Sequence, residues 1–420
     1  MSKTANDGKK IEPYGAPARD RPVPRISIQA FCETEETASV LQRAAMDRRL
    51  AKAHITVHMG GIASAAEQFA ENPTPNLIVV ECRDQGRPIL QSLEALAAVC
   101  DANTKVIIIG ADNDIALYRD LIRQGVNEYL VAPLSPLQVI EAVSGLYVAS
   151  GASPIGRLLT IVGAKGGVGA STISHNVAWS VAEQLGISTV LVDLDLAFGT
   201  AGLDFNQDPA QGVADALAAP ERLDDVLLER LLVKCSNRLS LFAAPATIDR
   251  DYEFTPDSVE AVLDIVRHTA PCIVVDAPHL WAPWTRALMT SSDEIVVVGM
   301  PDLASLRNTK SLFDLLRQGR PNDHAPRYVL NQVGVVKRPE IPVKDFAEAL
   351  GAEPVLVLPF DAPLFGTAAN NGQMLAEVKA DGRAALGIMH LAQVLTGREV
   401  AAPKAKSSSL FDFLKLRKAG

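Results

Sequence analysis

Residues Leu158 to Asp195 read LLTIVGAKGGVGASTISHNVAWSVAEQLGISTVLVDLD, and this stretch decides the fold. The apolar run Leu158–Val162 predicts a buried strand, and a glycine-rich turn follows it. Apolar residues spaced by four then place one apolar stripe on a helix, and the run Thr189–Val192 predicts a second strand, which ends in Asp193 and Asp195. Glycines allow close backbone approach, and a helix N-terminus favours negative charge. The pattern therefore predicts a phosphate site.

Backbone N–H groups of the turn and of the first helical residues are expected to hold the phosphate groups. The residues concerned are Gly166, Gly167, Val168, Gly169, Ala170, Ser171 and Thr172. A hydroxyl and a carboxylate are ligands that suit Mg²⁺. We expect Ser171 to contact Mg²⁺ and Asp193 or Asp276 to hold it through water.

The loop lacks one residue that such loops usually carry. The pattern G-x-x-x-x-G-K-[ST] places a lysine after its last glycine, whereas Ala170 stands at that position. Losing one charge-assisted contact costs about 1.5–3 kcal/mol, which weakens ATP binding roughly ten- to a hundredfold. Hydrolysis suffers more, because the lost charge acts mainly on the transition state. We predict ATP binding with slow turnover at most.

A different lysine stands early in the loop, and it carries a resemblance to a known family. The loop with Lys165 resembles the deviant Walker A loop of the MinD/ParA ATPases, and the string KGGVGAST resembles their CpaE/TadZ branch of pilus-assembly proteins. The strand Cys272–Asp276 ends like a Walker B motif, and Pro301–Leu316 and Tyr328–Asn331 resemble later segments of the same family in order. The resemblance implies a MinD-like P-loop NTPase fold.

The resemblance also implies roles for particular residues. Asp195 would position the attacking water, and Asn331 would lie near the adenine. Lys165 would reach the phosphates of the partner subunit in an ATP-bound homodimer. His175 is interpreted as a structural residue rather than a catalytic base. Packing in the core or at an interface is the default interpretation of the tryptophans that follow the Walker B strand.

Segments 25–150 alternate strand-like and helix-like patterns. Near-continuous apolar runs such as Asn76–Cys82 and Lys105–Gly110 are typical of central parallel strands, so we predict a flavodoxin-like doubly wound domain. The phrase RQGVNEYLVAPLSPLQVIEAV resembles the end of a response-regulator receiver domain. The fold class expected for the whole chain is α/β, with two doubly wound parallel-sheet domains.

The receiver resemblance fails at the residues that carry phosphotransfer. Ala30 and Phe31 are placed where the family has an acidic pair, Glu81 at the phosphoacceptor, Gly110 at the hydroxyl and Ala132 at the lysine. Without an acidic pair no Mg²⁺ site is expected, and hence no phosphotransfer. We interpret this domain as a pseudo-receiver for docking or dimerisation. Glu81 is either a built-in mimic of a phosphorylated aspartate or a carboxylate left at a strand end.

Composition excludes several classes of protein. The formal net charge of the 420 residues is −9, so a general affinity for nucleic acid is not expected. The five cysteines are scattered, which indicates free thiols in a reducing compartment. The N-terminal stretch has no signal-peptide core, and no stretch approaches the ~20 apolar residues of a spanning helix. A cytoplasmic protein is expected.

Four regions are expected along the chain: a disordered tail (1–24), the pseudo-receiver (25–150), the ATPase-like domain (157–397), and a linker with a C-terminal segment (398–420). Apolar residues mixed with cations at 410–418 fit either a short membrane-surface helix or a segment that docks on protein. The first alternative would add peripheral contact at the inner membrane or cell pole.

Three functions compete at this stage. The resemblance favours a localisation and scaffold protein for a Flp/Tad-type pilus, whose partners are secretion-machinery components including a secretion ATPase. An active partition-type or positioning ATPase would need efficient turnover, against which Ala170 and the acidic balance argue. A signalling protein with a phosphorylated receiver would need the missing acidic pair.

Overall fold

The computed structural model describes residues 22–83, 87–101, 103–147, 155–246 and 252–398. The predicted tail, apart from its last three residues, and the C-terminal segment 399–420 with 410–418 lie outside these ranges. Two parallel sheets, one of five strands and one of eight, organise the described chain. We call the parts built on them the N-terminal unit (22–147) and the C-terminal unit (155–398).

The N-terminal unit has the strand order β2-β1-β3-β4-β5, all parallel. Its strands are β1 (Ser27–Cys32), β2 (His54–Met59), β3 (Leu77–Glu81), β4 (Lys105–Gly110) and β5 (Glu128–Val131). Its helices are α1 (Glu35–Ala45), α2 (Gly61–Glu71), α3 (Arg87–Ala97), α4 (Ile115–Arg123) and α5 (Pro136–Tyr147), with one 3₁₀ turn at Arg48–Leu50.

Helices cover both faces of this sheet. Alternate residues of β1 point to opposite sides, so Ala30 joins the apolar cluster under α1 and α5, whereas Phe31 joins the cluster under α2, α3 and α4. Burial on both faces explains the near-continuous apolar runs of β3 and β4. The predicted flavodoxin-type doubly wound fold is confirmed.

The C-terminal unit has the strand order β13-β12-β11-β6-β10-β7-β9-β8, parallel except for the edge strand β8. Its strands are β6 (Arg157–Gly163), β7 (Thr189–Asp193), β8 (Val233–Lys234), β9 (Leu239–Phe242), β10 (Cys272–Ala277), β11 (Glu294–Gly299), β12 (Arg327–Val333) and β13 (Leu356–Pro359).

The helices of this unit lie on both faces of the sheet, over two separate apolar clusters. They are α6 (Ala170–Trp179), α7 (Ala201–Asp204), α8 (Val213–Ala218), α9 (Asp225–Leu231), α10 (Pro256–Val266), α11 (Pro283–Ser291), α12 (Leu303–Gly319), α13 (Val343–Leu350), α14 (Ala362–Asn371), α15 (Leu375–Val378) and α16 (Arg383–Thr396). A π-helical turn (Ser180–Gln184) continues α6.

The strand order places the glycine turn at the centre of the sheet. β6 lies between β10 and β11, so the loops that follow these three strands emerge at the same edge. In open α/β sheets, ligands bind outside the carboxyl ends of the strands at the point where the order reverses. That point lies here between β6 and β10. The connection that follows β6 leads to β7 on one side of this pair, whereas the connection that follows β10 leads to β11 on the other side.

A buried ion network joins the two units near the amino ends of the central strands of the larger sheet, opposite the end that bears the glycine turn. Arg48, in the 3₁₀ turn, contacts Asp293 at 3.0 Å and Asp323 at 2.8 Å, and all three side chains are at most 10% exposed. Arg267 also contacts Asp293, at 2.8 Å. Lys52 pairs with carboxylates on α10 at the half-exposed rim. The network fixes the N-terminal unit beside the first residues of β6 and β11.

No helix in the described ranges combines the length and the apolar character that a bilayer span requires.

Candidate functional site

The loop Gly163–Gly169, which we call the phosphate loop, joins β6 to α6. Gly167 and Gly169 have φ angles of +78° and +83°, in the left-handed region where a side chain is strained. A Cβ on Gly169 would also meet Asn331 Nδ2 at 2.6 Å. The backbone path of the loop therefore requires these two glycines.

Side chains from neighbouring elements hold the carbonyl groups of the phosphate loop. The bonds run from Asn308 Nδ2 to Ala164 O (2.8 Å), from Asn331 Nδ2 to Val168 O (2.9 Å) and from Gln332 Nε2 to Gly167 O (3.1 Å). With the carbonyls engaged outside the loop, the N–H groups remain to bind an anion. Asn308 and Gln332 escaped the sequence analysis, because no motif marks a side chain that braces a loop.

The helix α6 adds the donors of its first turn. Its first recorded backbone bond runs from Ile173 N to Gly169 O at 3.1 Å, so the N–H groups of Gly169, Ala170, Ser171 and Thr172 precede the helical ladder. Gly166 and Gly167 are exposed, and Val168 is buried beneath them. The structure thus brings the predicted phosphate-binding residues together in one cradle.

The residue at position 170 has no positively charged side chain. Ala170 is half-buried and packs against the apolar cluster that contains Ile173 and Val177. The neutral side chain leaves the backbone N–H groups as the donors of the first turn.

Asn331 lies in β12, which continues past it to Val333. Its amide nitrogen binds the phosphate loop, and its Oδ1 accepts from Gln332 N at 2.8 Å. It also borders a cleft of about 210 Å³ with Gly169, Thr172 and Phe365. The proximity to a nucleobase expected from the resemblance stays a prediction, and a second role, bracing the loop, is visible.

Lys165 does not point freely into solvent. Its Nζ lies 2.7 Å from Asp302 Oδ2, and the two side chains are 30% and 32% exposed. Burial alone would raise the pKa of Asp302, but the hydrogen bonds from Lys165 and from Ser305 lower it. Asp302 is also the N-cap of α12, so the ion pair ties the phosphate loop to that helix.

The predicted carboxylates meet at the ends of two neighbouring strands. Asp193 and Asp276 stand opposite each other in the register of β7 and β10, and both are buried. Asp193 Oδ1 accepts from Asp195 N at 3.1 Å, and Oδ2 accepts from Ala201 N at 3.2 Å. Burial and the neighbouring charge of Asp276 raise the pKa of Asp193 to about 7.

Asp195 is half-buried on the loop after β7. Its Oδ1 accepts from Phe198 N at 3.2 Å, which curls the loop back toward the strand end. Burial raises the pKa of its carboxyl group. A Cβ on Gly199 would overlap Asp193 Oδ2, so the same loop packs directly over that carboxylate.

His175 joins this cluster from α6, one turn beyond Ser171. Its Nδ1 lies 2.6 Å from Asp204 Oδ2 and its Nε2 lies 3.3 Å from Asp276 Oδ2. Burial alone would lower its pKa, but the two carboxylates raise it to about 10. The sequence predicts a structural role for His175 but does not predict this contact. A polar residue among the buried positions of α6 was the available signal.

The N-terminal unit has no open counterpart of this site within its described residues. Glu81 accepts from Glu33 N at 2.8 Å, from Thr34 N at 2.9 Å and from the hydroxyl groups of Thr34 and Thr37, both at 2.8 Å. The carboxylate therefore caps the start of α1. The Tyr129 ring fills the space above Gly110.

The two positions at which the receiver resemblance implies an acidic pair do not face Glu81. Ala30 and Phe31 lie inside β1 in the two cores, whereas the backbone that faces Glu81 belongs to Glu33 and Thr34.

No protein-family model matches the chain. A ParA family ATPase from Chlorobium tepidum TLS has a solved structure that is 25% identical, with a TM-score of 0.51, covering 56% of this chain and 98% of the other. The septum site-determining protein MinD of Synechocystis is 24% identical over 58% of this chain and 91% of its own length.

The pilus assembly protein CpaE from Caulobacter crescentus CB15 is 50% identical, over 30% of this chain and 97% of the solved chain. The TM-score of this match is 0.30, and the match spans less than a third of this chain. With this identity and the MinD/ParA-like architecture of the C-terminal unit, the chain belongs to the CpaE-type proteins of the MinD/ParA ATPase superfamily.

Proposed function

We propose that the chain is an ATP-binding localisation and scaffold protein for assembly of a Flp/Tad-type pilus. In this proposal it acts as a nucleotide-dependent homodimer with weak or no ATP hydrolysis. One observation carries the proposal: the loop predicted to hold phosphates stands beside a buried acidic cluster but carries Ala170 in place of the lysine. Such a site can sense a nucleotide without turning it over rapidly.

The cradle fits the phosphates of ATP. Gly166 and Gly167 are exposed, and a Cβ on either would meet nothing within 4 Å, so space for an anion lies directly above the loop. The braced carbonyl groups keep the N–H groups oriented, which lowers the cost of ordering them on binding.

The acidic cluster fits a divalent cation. Both side-chain oxygens of Asp276 are buried without a hydrogen-bond partner in the described structure, as expected of a carboxylate that serves a cation. Ser171 and Asp193 are the other residues proposed to hold Mg²⁺. When bound, Mg²⁺ would neutralise charge on the phosphates. Asp195 would orient the attacking water in the slow hydrolysis.

The edge that bears the phosphate loop also bears exposed apolar side chains. Six large ones, each more than half exposed, follow the ends of β7, β10, β11 and β12: Phe198, Leu203, Leu280, Trp281, Leu303 and Val336. A monomer rarely exposes so many large apolar groups around one site. They support a dimer in which the two chains pack through the strand ends that bear their phosphate loops, with two nucleotides between them. Trp281 therefore belongs to this exposed apolar surface, whereas Trp284 is buried in the core.

Lys165 supplies the switch in this proposal. It is held by Asp302 in the monomer and would be released to meet the phosphates of the partner's ATP, where its charge takes the role of an arginine finger. Two such exchanges accompany each dimer.

The pilus role comes from the CpaE relative, which is named a pilus assembly protein. We extend it to contacts with secretion-machinery components, including a secretion ATPase, and to a cytoplasmic protein that gathers at the cell pole or inner membrane. Nucleic acid is not proposed as a partner, in line with the net charge of −9. Membrane contact through 410–418 remains a prediction about residues outside the described ranges.

The test is the oligomeric state of the full chain with Mg-ATP, Mg-ADP or no nucleotide, measured by light scattering after size exclusion. We expect dimers of the wild type with ATP, none for Lys165→Ala, and unchanged dimers for the control Lys234→Ala on the edge strand β8. ATP binding by calorimetry runs alongside. If ATP binds but leaves the mass of the wild type unchanged, the dimer is wrong.

An active ParA/MinD-type positioning ATPase is the second candidate, favoured by the presence of both Lys165 and Asp195. Phosphate release separates the two functions. The scaffold proposal expects very slow release by the wild type, and robust turnover would replace it with the second candidate.

A further inference from the structure

One imidazole and two carboxylates form a buried cluster beyond the phosphate loop. His175 comes from α6, Asp193 from the end of β7 and Asp276 from β10, and one possible ligand atom from each lies within 4.8 Å of the others. All three residues are at most 1% exposed. Three different elements thus direct groups that bind metals toward one point.

The cluster contains polar atoms that nothing else in the described structure satisfies. His175 Nε2 and both side-chain oxygens of Asp276 are buried without a hydrogen-bond partner. Nε2 lies 3.3 Å from Asp276 Oδ2, without the geometry of a hydrogen bond. Two ligands of a tetrahedral metal ion, each at ~2.0–2.1 Å, are separated by about 3.3–3.4 Å. The spacing is that of two ligands of one ion.

The other ring nitrogen of His175 is held by a carboxylate. Its Nδ1 lies 2.6 Å from Asp204 Oδ2. A histidine that binds a metal usually donates its second N–H to a carboxylate, which fixes the tautomer and directs the free lone pair to the ion. Asp204 sits in this position, so Nε2 is the nitrogen left for a ligand.

The carboxylates keep capacity for an ion as well. Each oxygen of Asp193 accepts one backbone N–H and has a second lone pair. Two buried carboxylates side by side need compensating positive charge, and a divalent ion with a neutral imidazole balances them.

We propose that His175, Asp193 and Asp276 bind a divalent transition-metal ion, such as Mn²⁺, Co²⁺ or Zn²⁺, in preference to Mg²⁺. The inference deepens the proposed function, because it uses two of the carboxylates proposed there for a cation, but it requires no nucleotide. Imidazole nitrogen favours Zn²⁺ and its neighbours in the first transition row, whereas Mg²⁺ favours oxygen ligands alone.

The experiment titrates Co²⁺ into the chelator-treated, nucleotide-free full chain. Calorimetry gives the stoichiometry and the affinity, and the visible absorption of Co²⁺ reports a nitrogen ligand. We expect one ion per chain and an affinity at least about tenfold above that for Mg²⁺.

Variants assign the ligand. His175→Gln should lose at least a hundredfold in Co²⁺ affinity, and Asp204→Asn, which only removes the positioning carboxylate, should lose roughly ten- to a hundredfold. His268→Gln is the matched control, because His268 lies just after α10 and its ring contacts a carbonyl of that helix, and it should match the wild type. Thermal melts confirm that each variant is folded.

Two results would overturn the inference: no Co²⁺ binding by the folded wild type, or undiminished binding by a folded His175→Gln chain. Mg-ATP binding is measured separately on the same samples. A chain that binds Co²⁺ but not ATP contradicts the proposed function alone, and one that binds ATP but not Co²⁺ contradicts this inference alone.

Discussion

Releasing Lys165 from Asp302 is a step that the dimer must include, so weakening this ion pair should favour the dimer. The substitution Asp302→Asn removes the charge, but it keeps an N-cap of nearly equal strength for α12, since asparagine and aspartate cap helices about equally well. The helix start is thereby preserved while the hold on Lys165 is loosened.

The size of the effect follows from the geometry. The two side chains are about one-third exposed and 2.7 Å apart, which makes the pair worth about 1 kcal/mol at most. Each dimer breaks two such pairs, so the free energy of dimerisation should improve by about 2 kcal/mol. That corresponds to about a thirtyfold lower dimer dissociation constant with Mg-ATP.

Sedimentation equilibrium across a range of protein concentrations measures this constant. Asp314→Asn is the matched control, because Asp314 lies on the same helix, loses the same charge and pairs with exposed Arg317 at 3.7 Å. An Asp302→Asn chain that dimerises no better than the Asp314→Asn control would refute the switching role of the ion pair.

The remaining predictions concern the loop, the interface and the N-terminal unit. Ala170→Lys should bind ATP roughly ten- to a hundredfold more tightly in calorimetry, whereas Ala170→Met, of similar length but uncharged, should not. Arg48→Ala removes one of several arginines that contact the buried Asp293 and Asp323. Because other arginines still contact both carboxylates, the cost in denaturant unfolding should be about 3 kcal/mol, the low end for breaking a buried pair, against at most about 1 kcal/mol for Lys52→Ala. Burial alone would raise the pKa of Asp323, but Arg48 and neighbouring arginines hold it at about 2. Its ionised form therefore stabilises the fold above pH ~4. That contribution is lost as the pH falls toward 2, so urea melts should show a steeper loss there than for Asp323→Asn. Glu81→Asp should gain no mass from a small phosphodonor in intact-mass spectrometry, and a phosphorylated product would contradict the closed pocket around this carboxylate.

The sequence was sufficient for the parts of the fold that burial dictates. The runs at β4 and β10 are apolar on both faces, so their positions could be predicted closely. β2 (His54–Met59) was missed because it is a half-buried edge strand whose alternation of His, Thr and apolar residues is weak. The helices α2 and α3 were missed with it, although α3 carries a clear apolar stripe.

The site, like the fold, could be predicted only where the local sequence determines the structure. The backbone path of the proposed phosphate cradle follows from local chain geometry, so its residues could be predicted from one contiguous stretch. The partners of that stretch come from distant segments: Asp302 meets Lys165 across 137 positions, and Asp204 and Asp276 meet His175 across 29 and 101. No local sequence pattern predicts these side-chain contacts, because they depend on which strands become neighbours in the sheet.

The buried arginine contacts of Arg48 place the N-terminal unit at the start of β6, and the phosphate loop leaves the other end of that strand, roughly 23 Å away for seven residues at about 3.3 Å each. Two chains joined at the loop-bearing edge would therefore carry their N-terminal units at the far ends of the pair, turned outward and unable to cover one another. Nucleotide state would then set valency: one copy of the displayed surface per free chain, two per pair. A polymeric or clustered target engages a divalent ligand far more tightly than a monovalent one, with no change at the contact itself. A slow ATPase in such an arrangement would act as a timer on avidity.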